Sequence, residues 1–501
     1  MQFSSIAYLG FVAVAVIGYF ALPGVRSRTI WLLVASYGFY YSLSAGWTAV
    51  LLFVTALGYA FGLLIDRAGP AQPGEPISPK VKRLMTSGIV IVVLTLCVFK
   101  YSALVSATVR RLATVLAMEG SPQLIALLLP IGISFWTFQT IAYLVDVSKG
   151  TLEVERDPLR YALFIAFFPQ VAAGPIPRGG QLLPQLAERH TFQYDQMRSG
   201  LLLMLWGFFK KLVVADALAV VVNTAFATPR AYGDKPLVLA AAVLAFAVQL
   251  YCDFSGYTDL ARGSARLFGV DLVRNFNRPY AARSIKEFWR RWHMSLMNWL
   301  RDYVYIPLGG SRVSKWRRYV NILAVFLLSG VWHGVGLHFI VWGLLNAVYQ
   351  ICGELVAPWR DAAARLLRIR PDGRVRHTIQ TATTFALVCI AWTFFRAGTV
   401  REALYILGTI FHILPSVATQ PTIEHTGMLG LIKPQLFVAI AGAVVVFGLE
   451  WLSERVDLPG LLYSRPIVVR WLVYQVSILV VVVFGYYGSI YAASSFAYFK
   501  F

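Results

Sequence analysis

Charged side chains are scarce in this 501-residue sequence. Asp, Glu, Lys and Arg together make up 14% of it, 58% of the residues are hydrophobic, and the mean hydropathy is +0.64. A soluble domain usually contains about 25% charged residues. The composition therefore excludes a soluble globular protein. Apolar runs of roughly 20 residues between short loops predict instead an all-α, polytopic membrane protein with one domain over residues 1–501.

Acidic residues are the scarcest charged class, with 24 Asp and Glu against 45 Lys and Arg and a formal net charge of +21. Such an excess could indicate a nucleic-acid partner. The basic residues, however, lie in short loops between apolar runs, where they orient a membrane protein toward the cytoplasm. We therefore expect membrane lipid as a partner and no nucleic acid. Basic loops after the first, third and fifth runs predict an external N-terminus, and Arg110 and Arg111 after the fourth run are the exception.

Several catalytic and metal-binding motifs are missing. The four cysteines lie in or beside apolar runs without CxxC spacing, so we expect neither disulfides nor a metal site. The chain has no Walker loop, no nucleophilic serine motif and no dinucleotide-binding glycine pattern. These absences exclude ATP-driven transport and serine-hydrolase chemistry. The first apolar run lacks the basic start and cleavage pattern of a signal peptide, so we expect a retained span.

The apolar runs predict about eleven transmembrane helices. A short helix is expected at 400–414, a Pro/Gly-rich loop at 67–80 and a basic hydrophilic loop at 357–377. The expected spans are about 4–22, 30–44, 48–65, 84–106, 124–146, 199–223, 237–258, 319–355, 378–396, 430–452 and 468–490.

The segment FIAFFPQVAAGPIPRGG, residues 164–180, is too short to cross a bilayer and contains three prolines. Irregular backbone at membrane depth is tolerated only where protein or a wet cavity covers it. A re-entrant segment and an interfacial loop are both consistent with this pattern.

Residues 285–303 are basic and rich in tryptophan, and their apolar positions recur every three or four residues. This spacing predicts one amphipathic helix at the membrane interface. His293 lies off the apolar stripe, on a side shared with Trp289 and Arg290. A histidine in such a helix is usually unremarkable, so a functional role remains one of two alternatives.

The apolar run 319–355 is far longer than the roughly 20 residues that a span requires. We expect a break near 329–336, where glycines flank His333. Gly330 and Gly334 form a GxxxG pair, whose usual role is close helix packing.

His333 is an ionisable residue inside an apolar run, and such residues are costly unless they have a function. A neutral imidazole there could act as a general base that deprotonates a hydroxyl group. The alternative is a structural imidazole bonded to a backbone carbonyl between packed helices.

Other polar residues near apolar runs also allow two interpretations. Asp253 and Asp259 could face a cavity or could cap a helix end, and capping is the more common case. Arg290 and Arg291, with Arg301 and the basic turn after it, could bind the phosphates of a cytosolic donor or lipid headgroups.

Six stretches in order resemble the membrane-bound O-acyltransferases, and within them the bacterial polysaccharide O-acetyltransferases of the alginate type. The stretches are LPIGISFWTFQTIAYLVDV (129–147), FFPQVAAGPIPRG (167–179), YCDFSGYTDLARGSARLFGVDLVRNFNRPY (251–280), SIKEFWRRWHMSLMNWLRDYVYIPLGGSR (284–312), LSGVWHGVGLHFIVWGLLNA (328–347) and the closing FAYFKF.

The resemblance implies an acyltransferase of the bacterial inner membrane, with re-entrant and amphipathic helices around a central tunnel. It implies that His333 is the catalytic base and that His293 assists it. The acyl donor would be acetyl-CoA or another acyl thioester, with no bound cofactor, and the partner a periplasmic or membrane-anchored acyltransferase that modifies an exported polysaccharide. The further donor or tunnel candidates are Trp332, Trp289, Arg290, Arg291, Asn298 and Asp253.

Two other classes remain open: a secondary transporter or flippase, and a scaffold of a polysaccharide export complex. The same acyl-transfer chemistry could also serve cellulose, peptidoglycan or teichoic acid instead of alginate. If the protein transfers acyl groups, we expect His333 and His293 to line one continuous cavity from the cytoplasmic face.

Overall fold

The computed structural model describes residues 1, 3, 5–115, 129–413 and 433–487. All secondary structure in this part of the chain is helical, which confirms the all-α class. Six of the described segments are long and apolar enough to cross a membrane, or up to seven if a pair bent by 53° forms one span. Only 6% of the apolar window in the last of them is buried, as expected for a helix that faces lipid. The polytopic architecture agrees with the sequence, and the number of eleven spans stays a prediction.

The described chain forms two compact units, and the single domain inferred from the sequence stays a prediction. The first unit contains residues Met1–Met204 and Ala261–Val273. The predicted runs near its start all form helices, and the predicted loop separates α3 from α4. These helices are α1 (Ile6–Ala21), α2 (Val25–Ser44), α3 (Thr48–Arg67), α4 (Pro79–Val115), α5 (Ile133–Ser148), α6 (Pro158–Ala166), α7 (Phe168–Val171), α8 (Gly179–Ala187) and the beginning of α9 (Tyr194–Phe208).

The proline-rich segment 164–180 is irregular and buried within the first unit. Side chains form hydrogen bonds with its backbone. The Nε2 groups of Gln139 and Gln170 both donate to the carbonyl oxygen of Phe164, at 2.5 and 2.7 Å. Side-chain partners of this kind are what buried irregular backbone requires. The burial favours the covered, re-entrant alternative over an interfacial loop.

The second unit contains residues Leu205–Leu260 and Arg274–Phe501. In it, α9 passes through a π-helical segment, Phe209–Ala215, into the next helix. The further helices are α10 (Asp216–Ala227), α11 (Pro236–Arg266, whose last residues belong to the first unit), α12 (Ile285–Arg291), α13 (Met294–Leu300), α14 (Lys315–His333), α15 (Leu337–Leu355), α16 (Ala357–Leu366), α17 (Arg374–Arg396), α18 (Val400–Ile413), α19 (Lys433–Leu452), α20 (Leu458–Tyr463) and α21 (Ile467–Phe484).

The prediction of a hydrophilic loop over 357–377 was wrong in its first half, which forms α16. Proline in the first turn followed by an alanine-rich sequence favours a helix even where charged residues are frequent. The predicted short helix after α17 is confirmed as α18.

The prediction of one amphipathic helix over 285–303 was also wrong. Ser284 caps α12 by accepting a hydrogen bond from the backbone N–H of Glu287 at 3.1 Å, but α12 ends before His293. His293 has left-handed backbone angles, φ 45° and ψ 53°. The next two backbone N–H groups donate to Asn275, to its main-chain oxygen at 2.9 Å and its side-chain oxygen at 3.2 Å. These tertiary hydrogen bonds replace the helical ones and start α13 in a new direction.

The predicted break in the run 319–355 is confirmed, because α14 ends at His333 and α15 begins three residues after Gly334. The two helices pack through glycines. A Cβ atom on Gly330 would lie 2.5 Å from the carbonyl oxygen of Phe339, and one on Gly343 would lie 2.4 Å from that of Phe326. Any larger side chain would separate the helices, so the close-packing role expected of the GxxxG pair applies at Gly330.

Candidate functional site

His333, at the C-terminus of α14, is buried in a group of aromatic rings. Its ring centroid lies 4.7 Å from that of Trp332, 4.8 Å from that of Trp342 and 5.3 Å from that of Phe395. Its Nδ1 lies 2.6 Å from the carbonyl oxygen of Ser329. Because a carbonyl only accepts hydrogen bonds, Nδ1 must carry the proton. In its neutral form the ring therefore has its basic lone pair on Nε2, the arrangement that a general base needs.

His293 is a second buried imidazole that contacts Trp332. It is 1% exposed, and its ring centroid is 4.7 Å from that of Phe254 and 6.4 Å from that of Trp332. Burial, and to a lesser extent the nearby His333, lower the pKa of His293 well below its ordinary value. The imidazole is therefore neutral at physiological pH. Trp332 thus contacts both imidazoles, and the structure brings together the two histidines that the sequence singled out.

The left-handed backbone at His293 gives a prediction about stability. Asn tolerates these angles better than other residues with a Cβ, whereas a β-branched residue does not. We expect His293→Val to reduce the free energy of unfolding by about 1 kcal/mol more than His293→Asn, because left-handed angles cost roughly 1–2 kcal/mol. Thermal unfolding of the two variants in detergent measures the difference. Equal melting temperatures would contradict it.

A cavity of about 970 Å³ lies beside α12 in the second unit, and its lining is rich in cations. Arg290 is part of the lining. Arg291 is not, and its Nη2 instead lies 2.6 Å from Oε1 of Glu287 on the same helix. Arg290 and Arg291 are adjacent in the sequence, but their side chains are therefore in different environments. The cationic lining residues are Arg283, Lys286, Arg290, Arg301, Arg318 and Arg360.

A series of aromatic ring contacts leads from this cavity to His333. Phe326 lines the cavity, the ring of Trp289 lies 5.4 Å from that of Phe326, and Trp342 lies 5.7 Å from Trp289. His333 follows directly behind Trp342. Neither His333 nor His293 lines this cavity, and the single continuous passage expected from the sequence stays a prediction. We call Phe326, Trp289 and Trp342 the aromatic partition.

Asn346 on α15 forms hydrogen bonds with two tryptophans of the aromatic partition. Its Oδ1 accepts a hydrogen bond from the indole N–H of Trp289 at 3.1 Å, and its Nδ2 donates to the carbonyl oxygen of Trp342 at 2.8 Å. This role could not be inferred from the sequence, because a single asparagine in an apolar helix is compatible with many environments.

Asp253 belongs to a buried ionic network. It lies in the interior of α11, so the helix-capping alternative was wrong. The Nζ of Lys211 is 2.7 Å from Oδ1 of Asp253 and 2.9 Å from Oδ1 of Asp216, while Lys210 contacts Asp259 at 2.5 Å. Sequence reasoning missed the lysines, although two lysines inside one apolar run and two aspartates inside another were a usable signal for buried pairing.

Asn298 is the candidate that the structure places least favourably. It is exposed on α13 and does not line the cavity. Trp332 contacts both histidines, and Trp289 contacts both Phe326 and Trp342, while their assignment as donor or tunnel residues stays a prediction.

A profile of the membrane-bound O-acyltransferase (MBOAT) family matches residues 152–395. "Probable alginate O-acetylase AlgI" of Pseudomonas aeruginosa is 37% identical over 420 residues, which cover 82% of this chain and 76% of the relative. The chain belongs to the MBOAT family. Within this MBOAT protein, the matched region contains His293, His333, Asp253 and the cavity beside α12.

Two further relatives of this MBOAT protein have different names. "Peptidoglycan O-acetyltransferase" of Helicobacter pylori is 33% identical over 79% of this chain and 77% of its own length. "Teichoic acid D-alanyltransferase" of Bacillus subtilis is 30% identical over 53% of this chain and 68% of its own length. The enzyme class expected from the sequence, an acyltransferase, is confirmed. The closing FAYFKF stretch of the resemblance lies outside the described residues.

Proposed function

We propose that this MBOAT protein transfers an acetyl group from a cytoplasmic acyl thioester for the O-acetylation of an exported polysaccharide such as alginate, at the bacterial inner membrane. The observation that carries the proposal is the buried imidazole of His333, whose hydrogen bond to the Ser329 carbonyl leaves Nε2 as the base. The similarity to proteins named as an alginate O-acetylase and a peptidoglycan O-acetyltransferase supports the acetyl group and the polysaccharide.

The chemistry follows from the position of that base. Nε2 of His333 removes the proton from an acceptor hydroxyl as its oxygen attacks the thioester carbonyl carbon. The carbon–sulfur bond breaks, an ester forms, and the imidazolium returns the proton to the departing thiolate. His293, which is neutral and contacts Trp332, positions the acyl group rather than exchanging protons.

The cationic cavity supports an acyl-CoA donor. Guanidinium groups form paired hydrogen bonds with phosphate oxygens, so Arg290 and Arg318 would bind the phosphates of acetyl-CoA and direct its thioester toward Phe326. Loops rich in Lys and Arg tend to lie on the cytoplasmic side of the membrane. This location of the basic loops is consistent with a cytosolic donor. CoA acts as a substrate in this scheme, and the protein needs no resident cofactor.

We expect the aromatic partition to open during transfer, because its rings are in contact with one another from the cavity to His333. Rotation of the Trp289 side chain away from Asn346 would connect the cavity with His333 and form the tunnel that the family resemblance implies. The acetyl group would then pass to a periplasmic or membrane-anchored acyltransferase partner that modifies the polysaccharide. We expect about eleven membrane spans in total, and their helices would enclose this tunnel.

The different environments of the two adjacent arginines allow a matched test of donor binding. We expect Arg290→Ala to raise the KM for acetyl-CoA about tenfold with little change in kcat, since removal of one charged hydrogen bond costs roughly 1.5–3 kcal/mol. Arg291→Ala should leave KM close to the wild-type value. The measurement is acetyl transfer by inverted membrane vesicles supplied with radiolabelled acetyl-CoA. Equal effects of the two substitutions would contradict donor binding in this cavity.

The function itself is tested by the acetyl content of the cell's polymers with and without this gene. Alginate-type exopolysaccharide, cellulose, peptidoglycan and teichoic acid are isolated from the deletion strain and from the complemented strain. Loss of ester-linked acetyl groups from one polymer identifies the acceptor class. If acetyl content is unchanged on every polymer while polysaccharide export falls, the protein is a transporter or a scaffold, and the proposal is wrong.

A further inference from the structure

An unsatisfied hydrogen-bond donor lies directly beside His333. Trp342 is 1% exposed, and its indole N–H has no hydrogen-bond partner in the part of the chain that the structure describes. Buried indole N–H groups usually find a partner, because an unmade hydrogen bond in an apolar interior costs about 1–3 kcal/mol. A donor that is kept unsatisfied at this position needs an explanation.

Neighbouring rings show that the unpaired state is not forced by the aromatic surroundings. Trp289 lies 5.7 Å from Trp342, and its indole N–H donates to Oδ1 of Asn346 at 3.1 Å. Asn346 also contacts Trp342, but through the main-chain carbonyl of Trp342 and not through the indole. The same asparagine therefore satisfies one tryptophan and fixes the backbone of the other, whose N–H stays available.

The position of Trp342 also matches the path of the donor. Its ring lies between Trp289, on the cavity side, and His333, at 4.8 Å. A thioester that enters past Phe326 and Trp289 reaches Trp342 as it approaches the base. In acyl transfer, negative charge develops on the carbonyl oxygen as the hydroxyl attacks, and a fixed donor in a water-poor site stabilises that charge strongly.

We propose that Trp342 is a further catalytic residue, whose indole N–H donates a hydrogen bond to the carbonyl oxygen of the acyl group during transfer. The proposal rests on the acyl-transfer function proposed above and adds the group that stabilises the oxyanion. The hydroxyl oxygen bonds to the carbonyl carbon, its proton moves to Nε2 of His333, and the new negative charge on the carbonyl oxygen is held by Trp342. When the carbon–sulfur bond breaks, the charge leaves with the thiolate and the hydrogen bond weakens.

The test removes the N–H and keeps the ring. We expect Trp342→Phe to lower kcat for acetyl transfer by roughly 10²-fold with KM for acetyl-CoA almost unchanged, as for the loss of one oxyanion donor. Replacement of Trp342 by benzothienylalanine, which has sulfur in place of the N–H group in a ring of the same shape, should give the same fall. This second variant separates the hydrogen bond from packing if the phenylalanine variant folds poorly.

Trp392 provides the matched control. Its indole N–H also has no partner among the described residues, it is equally buried, and its ring stacks on Trp342 at 6.0 Å and 13°. Trp392→Phe should leave kcat near the wild-type value. All variants are assayed in inverted vesicles with radiolabelled acetyl-CoA, and enzyme amounts are matched by immunoblot.

The proposal is overturned if the benzothienylalanine variant keeps the wild-type kcat, or if Trp392→Phe lowers kcat as much as Trp342→Phe. These results differ from a failure of the proposed function. If the proposed function were wrong, the wild-type vesicles would transfer no acetyl groups at all. If wild-type vesicles transfer acetyl groups and the benzothienylalanine variant does not lose rate, only the role of Trp342 is wrong.

Discussion

Replacing His333 with glutamine is expected to abolish acetyl transfer while the protein still inserts and folds. The amide can donate to the Ser329 carbonyl as Nδ1 does, and it occupies a similar volume, but it cannot accept a proton from a hydroxyl group. General-base catalysis contributes about 10²–10⁴-fold, so kcat should fall by at least that range. The measurement is acetyl transfer by inverted vesicles with the amount of enzyme determined by immunoblot.

His338 provides the control for this substitution. It lies in the first turn of α15, beyond the break after α14, and its ring contacts that of Phe339 at 4.2 Å. Because no ring contact joins His338 to the pair of catalytic candidates in the described chain, His338→Gln should keep most of the activity. Wild-type rates in His333→Gln would remove the base from the mechanism and favour a structural imidazole.

Loss of Lys211 is expected to be the most destabilising single change in the described chain. Its ammonium group lies between the carboxylates of Asp253 and Asp216, and the side chains of Lys211 and Asp253 are only 5% and 3% exposed. Lys211→Met leaves both carboxylates buried without their cation, which costs roughly 3–5 kcal/mol for a buried pair. The double variant Lys211→Met/Asp253→Asn should recover part of this loss, since one uncompensated charge is removed as well.

Thermal unfolding in detergent, compared by a double-mutant cycle, measures this coupling. The pair Arg198–Asp195 in the first unit is a suitable reference, because Asp195 is 83% exposed and surface pairs contribute about 0–1 kcal/mol. Asp195→Asn should therefore leave the melting temperature nearly unchanged. If Lys211→Met is no more destabilising than Asp195→Asn, the network does not hold the second unit together.

Local sequence patterns predicted the helices well, because the apolar runs and their glycines determine them directly. The break before α15 was predictable, since a run as long as 319–355 must be interrupted. Glycine is the residue that most readily adopts non-helical backbone angles. The interruption at His293 was not predictable, because the apolar spacing of residues 285–303 continues through this position as it would in a single helix. Hydrogen bonds to Asn275, distant in sequence, decide that turn.

The site was predictable only for residues that stand out in their own neighbourhood. His333 is conspicuous as an ionisable residue in an apolar run, whereas Trp342 and Asn346 resemble ordinary residues of a packed helix. Their importance depends on which ring or carbonyl each one meets, and that is set by the close approach of α14 and α15 at Gly330 and Gly343. Likewise, Arg290 and Arg291 are adjacent in the sequence, and only the cavity distinguishes them.

The π-helical segment Phe209–Ala215 limits how this region can change in length. Neighbouring residues of an α-helix point about 100° apart, yet Lys210 and Lys211 both reach carboxylates of α11, at Asp259 and Asp253. The wider turn of the π-helix is what permits two adjacent lysines to share one partner helix. Deleting one residue here would restore regular winding but rotate α10 against its neighbours. The segment should therefore not tolerate shortening.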